Sequence, residues 1–132
     1  MKETIMKSVL AVLVALCSLN VDAYNIERGV EIDGIYYNLY PEYEMAEVTT
    51  GDAKYTGDIV IPESFEHDGI TYTVKYIENA FYRCGDITSI IIPNSITSIG
   101  SMSFLYCTSL TSVTIPGSVT SIESSAFILW LD

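Results

Sequence analysis

S-I-I-I-P-N-S-I-T-S-I at residues 89–99 returns as S-V-T-I-P-G-S-V-T-S-I at residues 112–122, a shift of 23 positions. The same shift carries Cys84 to Cys107, and Phe81 to Phe104 and then to Phe127. The unit reads F-x-x-C-x-x-[IL]-x-x-[IV]-x-I-P-x-S-[IV]-T-S-I. A fixed period in the twenties marks a solenoid, a stack of similar coils. One coil cannot bury its own apolar residues, so each recurring Phe, Cys, Leu/Ile and Ile/Val lies over its counterpart in the next coil. These positions are read as columns of one continuous core.

Toward the N-terminus, Ile59-Val60-Ile61-Pro62 matches the Ile-Pro anchor, so the first coil starts there. Pro62 and Pro93 are 31 residues apart, eight more than the standard. A hairpin accounts for most of the excess, Phe65–His67 and Ile70–Tyr72 around Asp68-Gly69. One slot is then lost between Ile77 and Phe81, and it aligns with Gly100 and Glu123. Each coil is expected to hold one short strand, at Ile90–Ile92 or Val113–Ile115, where apolar residues alternate and β-branching is frequent. A short helical or 3-10 turn is expected near Asn79–Arg83 and Met102–Tyr106. Pro93 and Pro116 fall just after strands, where a missing N–H does least harm.

Residues 24–58 have another character, with five Tyr between Tyr36 and Tyr55 among acids. Asp33-Gly34 between Val30–Ile32 and Ile35–Tyr37 is a strong hairpin signal. Met45–Thr50 is a further strand. Antiparallel strands here would cap the solenoid, whose end coil meets water and must differ from internal coils. Tyr suits that place, with an apolar body and a polar tip.

Met1–Ala23 has the form of a secretory signal peptide. Lys2 and Lys7 precede the apolar run Val9–Cys17, and Val21-Asp22-Ala23 offers small residues at the cleavage positions. Nine apolar residues are too few to span a bilayer, which takes about 20. A lipoprotein site at Cys17 is the rival reading, against which stands Leu16, since such a site needs a small residue before the Cys. Acids outnumber bases 17 to 6, for a net charge of −11. That disfavours nucleic acid and anionic membrane surfaces as partners, both of which are bound through Lys and Arg.

With A-F-Y-R-C (80–84), S-I-I-I-P-N-S-I-T-S-I-G (89–100), L-T-S-V-T-I-P-G-S-V-T-S-I (110–122) and the opening G-V-E-I-D-G-I-Y-Y-N-L (29–39), the chain resembles BspA-like leucine-rich repeat proteins, found widely in Bacteroidetes and in some mucosal protists. The resemblance covers roughly residues 29–127. It implies secretion or surface display and, for some members, adhesion to host matrix proteins or to other bacteria. It implies no catalytic residue. The chain departs from the pattern where the Cys column would continue, at Trp130, and it stops mid-coil at Asp132. Either Trp130 and Leu131 improvise a cap or this is a short or truncated member. An open last coil bearing Val113, Ile115, Val119, Ile122 and Phe127 is expected to pair end to end through its unblunted edge, to aggregate, or to mark a fragment whose next coil is missing.

Catalytic chemistry finds little support. Cys84 and Cys107 are one coil apart and point the same way rather than at each other, so they read as buried thiols. His67 is the single His, flanked by Glu66 and Asp68 in a hairpin, and the sequence shows no convergent partner for a triad or metal. Asp33, Asp52 and Asp58 lack a calcium-loop spacing. What remains is surface columns. Thr88/Thr111 and Ser89/Ser112 recur at 23, and Ile91 and Thr114 should point outward between core positions. One reading is that Ser and Thr merely solvate the coil. The other is an uncharged hydrogen-bonding face for an extended protein or glycan.

The sequence therefore predicts a mainly β, short leucine-rich-repeat solenoid of 23-residue coils with an N-terminal antiparallel hairpin cap. Its parts are a signal peptide at 1–23, a cap at 24–58 and a solenoid at 59–132. The expected function is an exported, non-enzymatic binding module, adhesin-like, meeting a protein or glycan through Thr88, Ser89, Ile91, Thr111, Ser112 and Thr114. The alternative is a structural or assembly segment with no ligand of its own. No cofactor, metal, nucleic acid or membrane span in the mature chain is expected.

Overall fold

The computed structural model describes residues 25–127. The signal-peptide reading of 1–23 and the improvised cap at 128–131 lie outside the described residues. The chain begins with a hairpin of β1 (Glu27–Ile32) and β2 (Ile35–Tyr40), paired antiparallel with Ile32 opposite Ile35. Its turn residues Asp33 and Gly34 have φ of 50° and 82°. Positive φ at both positions is what the tight hairpin turn of matching twist requires. A 3-10 turn at Pro41–Tyr43 leads into β3 (Met45–Val48).

β3 changes the sense of pairing. It runs antiparallel to β2, with Val48 opposite Tyr37, and parallel to β6 (Ile70–Ile77), with Val48 opposite Ile77. The cap is antiparallel as expected, and the outer edge of its last strand starts the parallel stack by pairing with β6. β4 (Gly57–Val60) crosses the expected boundary between cap and solenoid. β5 (Ser64–His67) and β6 form the inserted hairpin around Asp68-Gly69, whose φ values are 48° and 79°.

From β6 the coils stack in two columns of strands. One sheet continues through β8 (Ser98–Ile99) and β9 (Ser121–Ile122), with Ile77, Ile99 and Ile122 in register. The other pairs β4 with β7 (Ile87–Ile91) in parallel and extends as a single bridge from Ile91 to Thr114. The sequence predicts one strand per coil, and the structure has two. In the regular coils the second strand, β8 or β9, is only two residues long, too short for alternation to reveal. Conversely, Val113–Ile115 is a bridge rather than a full strand.

The expected short turns are present as single turns closed by bonds such as Cys84 N–H to Phe81 O (3.0 Å) and Leu105 N–H to Met102 O (3.2 Å), and none lengthens into a helix. Among the described residues Pro41–Tyr43 is the 3-10 segment and no α-helix occurs. Asn79–Arg83 and Met102–Tyr106 are turns bracketed by left-handed residues, with φ of 53° and 58° in one coil and 55° and 62° in the next. A left-handed residue at each end stops a helical turn from propagating. Between these brackets the chain bonds outward to the next coil, as in Phe81 N–H to Ser103 O (3.0 Å) and Arg83 N–H to Leu105 O (2.9 Å).

The core follows the columns. Phe81, Phe104 and Phe127 stack, with ring centroids 5.5 and 4.9 Å apart and planes 25° and 8° from parallel. Tyr55 continues this ladder into the cap, 5.0 Å from Phe81. Its hydroxyl donates to Thr49 O at 2.7 Å and accepts from Tyr36 N–H at 3.0 Å, so its polar tip is satisfied. Cys84 and Cys107 are free and buried, as read from the sequence. Burial pushes both thiols up, Cys107 to about 11, which leaves them protonated and inert.

Candidate binding surface

The outward side of β4 and β7 carries the residues singled out from the repeat. Inward positions Ile59 and Ile90 are buried, and the alternation of a strand puts Asp58, Val60, Ser89 and Ile91 on the opposite side. Val60 lies beside Ile91, and Ile91 beside Thr114, in one line across three coils. Val60 is 61% exposed and Ile91 59%. Thr88, Thr111, Ser112 and Thr114 are exposed and Ser89 is half-buried. Of the six expected residues, Ile91 and Thr114 are neighbours across two coils, and Thr88 and Ser89 precede Ile91 on β7, with Thr111 and Ser112 at the equivalent positions of the next coil.

Sequence reasoning missed Asp58 as part of this strip. Its Oδ1 accepts from Ser89 Oγ at 2.7 Å and from Thr88 Oγ1 at 2.9 Å. These two bonds, Ser89 first, hold the carboxyl below its ordinary range. Thr88 and Ser89 are therefore fixed rotors, not free solvating hydroxyls. The signal lay in the β4–β7 register, since Asp58 faces Ser89 only once the first coil is aligned.

A cation–aromatic cluster stands on the turn side. Arg83 lies 5.2 Å from the Tyr82 ring and 5.6 Å from the Tyr106 ring, and Lys54 lies 5.8 Å from Tyr82. Lys54 Nζ also donates to Tyr82 O at 2.8 Å. The ring quadrupoles attract both cations.

The other sheet carries a groove of about 660 Å³, lined by Arg28, Asn38, Glu47, Tyr76, Glu78, Ser98 and Glu123 among others. Glu47 is only 4% exposed, and Tyr40 Oη donates to its Oε2 at 2.6 Å. Burial raises the Glu47 carboxyl above its usual range despite the bonds from Tyr40 and Asn38 and the charge of Arg28. Glu78 is raised as well, by burial first and then by Glu123 and Glu47. The Glu78 carboxylate fills the space that a Cβ on Gly100 would take, so a larger residue there would displace it.

His67 has partners that the sequence did not show. Its Nε2 lies 3.5 Å from Asp68 Oδ2 and 4.0 Å from Glu27 Oε2. Glu27 comes from β1, 40 residues away. The Tyr72 hydroxyl beneath them is raised in pKa by burial first, then by the charges of Glu27 and Asp68.

Stacked parallel coils with buried Ile, Phe and Cys columns and an exposed strand face define a leucine-rich repeat protein. The chain is specifically of the BspA type, matching the BspA type leucine rich repeat region (6 copies) over residues 69–129. A leucine-rich repeat protein from Bacteroides ovatus is 31% identical, with a TM-score of 0.62 over 68% of this chain and 24% of that one. A second, from Bacteroides capillosus, is 26% identical with a TM-score of 0.58 over 76% of this chain and 91% of that one. A leucine rich cell surface protein from Faecalibacterium prausnitzii shares the fold at 23% identity and a TM-score of 0.51, over 74% of this chain and 33% of that one. The chain thus spans about a quarter of the first of these proteins and a third of the last. No curated protein matches the chain.

Proposed function

We propose that the chain is an exported, non-enzymatic binding module, adhesin-like, that meets a protein or glycan at a cell surface through the outward face of β4 and β7. One observation carries the reading, the unbroken exposure of Val60 and Ile91 on two hydrogen-bonded strands. Fully burying such a side chain contributes about 1.5–3 kcal/mol, so two adjacent ones suit the centre of an interface. The surrounding Thr88, Ser89, Thr111, Ser112 and Thr114 supply hydrogen bonds without charge, and Asp58 orients the first two. Export rests on the form of Met1–Ala23, and display at a surface agrees with the description of the Faecalibacterium fold neighbour.

The test is binding of the protein to immobilised matrix proteins, mucin and whole bacterial cells, with Val60→Lys/Ile91→Lys beside the parent. The double variant is expected to bind at least about tenfold more weakly, a loss of about 1.4 kcal/mol, while its far-ultraviolet circular dichroism is unchanged. Undiminished binding by the variant would move the site elsewhere. A parent that binds none of these surfaces would favour the structural-segment reading.

A further inference from the structure

We propose that Glu27, His67 and Asp68 form a binding site for a divalent transition-metal ion of the zinc type, which clamps the first hairpin to the second. One imidazole nitrogen and two carboxylate oxygens lie within 4.8 Å of one another. Tetrahedral zinc, with bonds of about 2.0–2.2 Å, holds its ligand atoms about 3.4 Å apart. The His67–Asp68 separation of 3.5 Å already matches that spacing, and the His67–Glu27 separation of 4.0 Å needs only a small movement. Glu27 and Asp68 are exposed, so the movement meets no packed neighbour.

The donor set selects the ion. A nitrogen ligand suits zinc, copper and nickel, whereas calcium takes six to eight oxygens. The two carboxylates offset the ion's double charge, and a chain of net charge −11 attracts cations as a whole. Three protein ligands leave a position for water. His67 would bind through Nε2 as a neutral imidazole whose one ring proton sits on Nδ1.

The place of the site in the fold gives it a consequence. Glu27 enters on β1 ahead of an irregularity in the β1–β2 register, where Gly29 N–H donates to Asn38 Oδ1 at 3.2 Å. His67 and Asp68 sit at the tip of the β5–β6 hairpin. The two hairpins otherwise meet through a ring contact, Phe65 of the second lying 4.5 Å from Tyr37 of the first. A metal at their rim adds a polar tie to an aromatic contact.

Titration of the full chain with zinc chloride by calorimetry, paired with thermal melts, tests this. One zinc per chain and a raised melting temperature are expected for the parent and for Glu66→Gln, whose carboxylate lies on the opposite side of β5. His67→Gln and Glu27→Gln should each bind more than about tenfold more weakly, since loss of even an outer-sphere partner costs about 10–100-fold. Calcium chloride should give no matching stabilisation. No zinc binding by the parent, binding retained in His67→Gln, or calcium acting equally would each overturn the site and leave an ordinary ion pair.

Discussion

Phe104 lies between two rings at 5.5 and 4.9 Å and is fully buried, so it ties three coils together. Phe104→Ala is expected to cost about 3–5 kcal/mol, read from urea melts, a large fraction of the stability of a domain of this size. A loss below about 1 kcal/mol would show that the ring ladder is not core. Glu47 acts in the opposite direction. Its folded-state pKa lies above the unfolded one, so ionisation opposes folding. The penalty is absent below the ordinary range of about pH 4 and grows as pH rises to and through the folded pKa. Glu47→Gln keeps an acceptor for Tyr40 and removes the charge. It should be more stable than the parent at neutral pH, and the difference should vanish in acid. Urea midpoints taken across pH would refute this if the variant were the weaker at neutral pH.

At the scale of elements, the legible parts were those with a strong local signal. Asp33-Gly34 and Asp68-Gly69 named both hairpins, because a turn with positive φ at two positions admits few residues. The Phe, Cys and Ile columns were legible from repetition alone. The two-residue β8 and β9 were not, since Ser98–Ile99 has no alternation to read and is a strand only because a neighbour lies on each side. The left-handed brackets were equally hidden. Met102, Arg83 and Tyr106 are not residues that favour positive φ, and the stacked coils impose it. For the surface strip, the repeat gave Thr88, Ser89, Ile91, Thr111, Ser112 and Thr114, while Asp58 and Val60 needed the β4–β7 register, which the eight-residue hairpin insertion obscures. Glu27 near His67 was beyond sequence reasoning, because no local pattern links a β1 residue to the tip of another hairpin.

For the whole molecule, the direction of the bonds between coils matters as much as their number. Gly100 N–H to Ile77 O (2.8 Å), Thr120 N–H to Thr97 O (2.9 Å) and Phe104 N–H to Ala126 O (2.9 Å) all join one coil to the next. They point along the stacking axis, because neighbouring strands bond side to side. A pull along that axis loads the bonds of one coil boundary at a time, like a zip, and not a long strand pair in shear. Each freed coil releases 23 residues, about 80 Å of chain at full extension. The solenoid is therefore expected to lengthen in steps at low tension instead of rupturing at once. Force spectroscopy with handles beyond residues 25 and 127 should show small, near-equal extensions. One all-or-none rupture would mean that the ring ladder makes the coils a single mechanical unit.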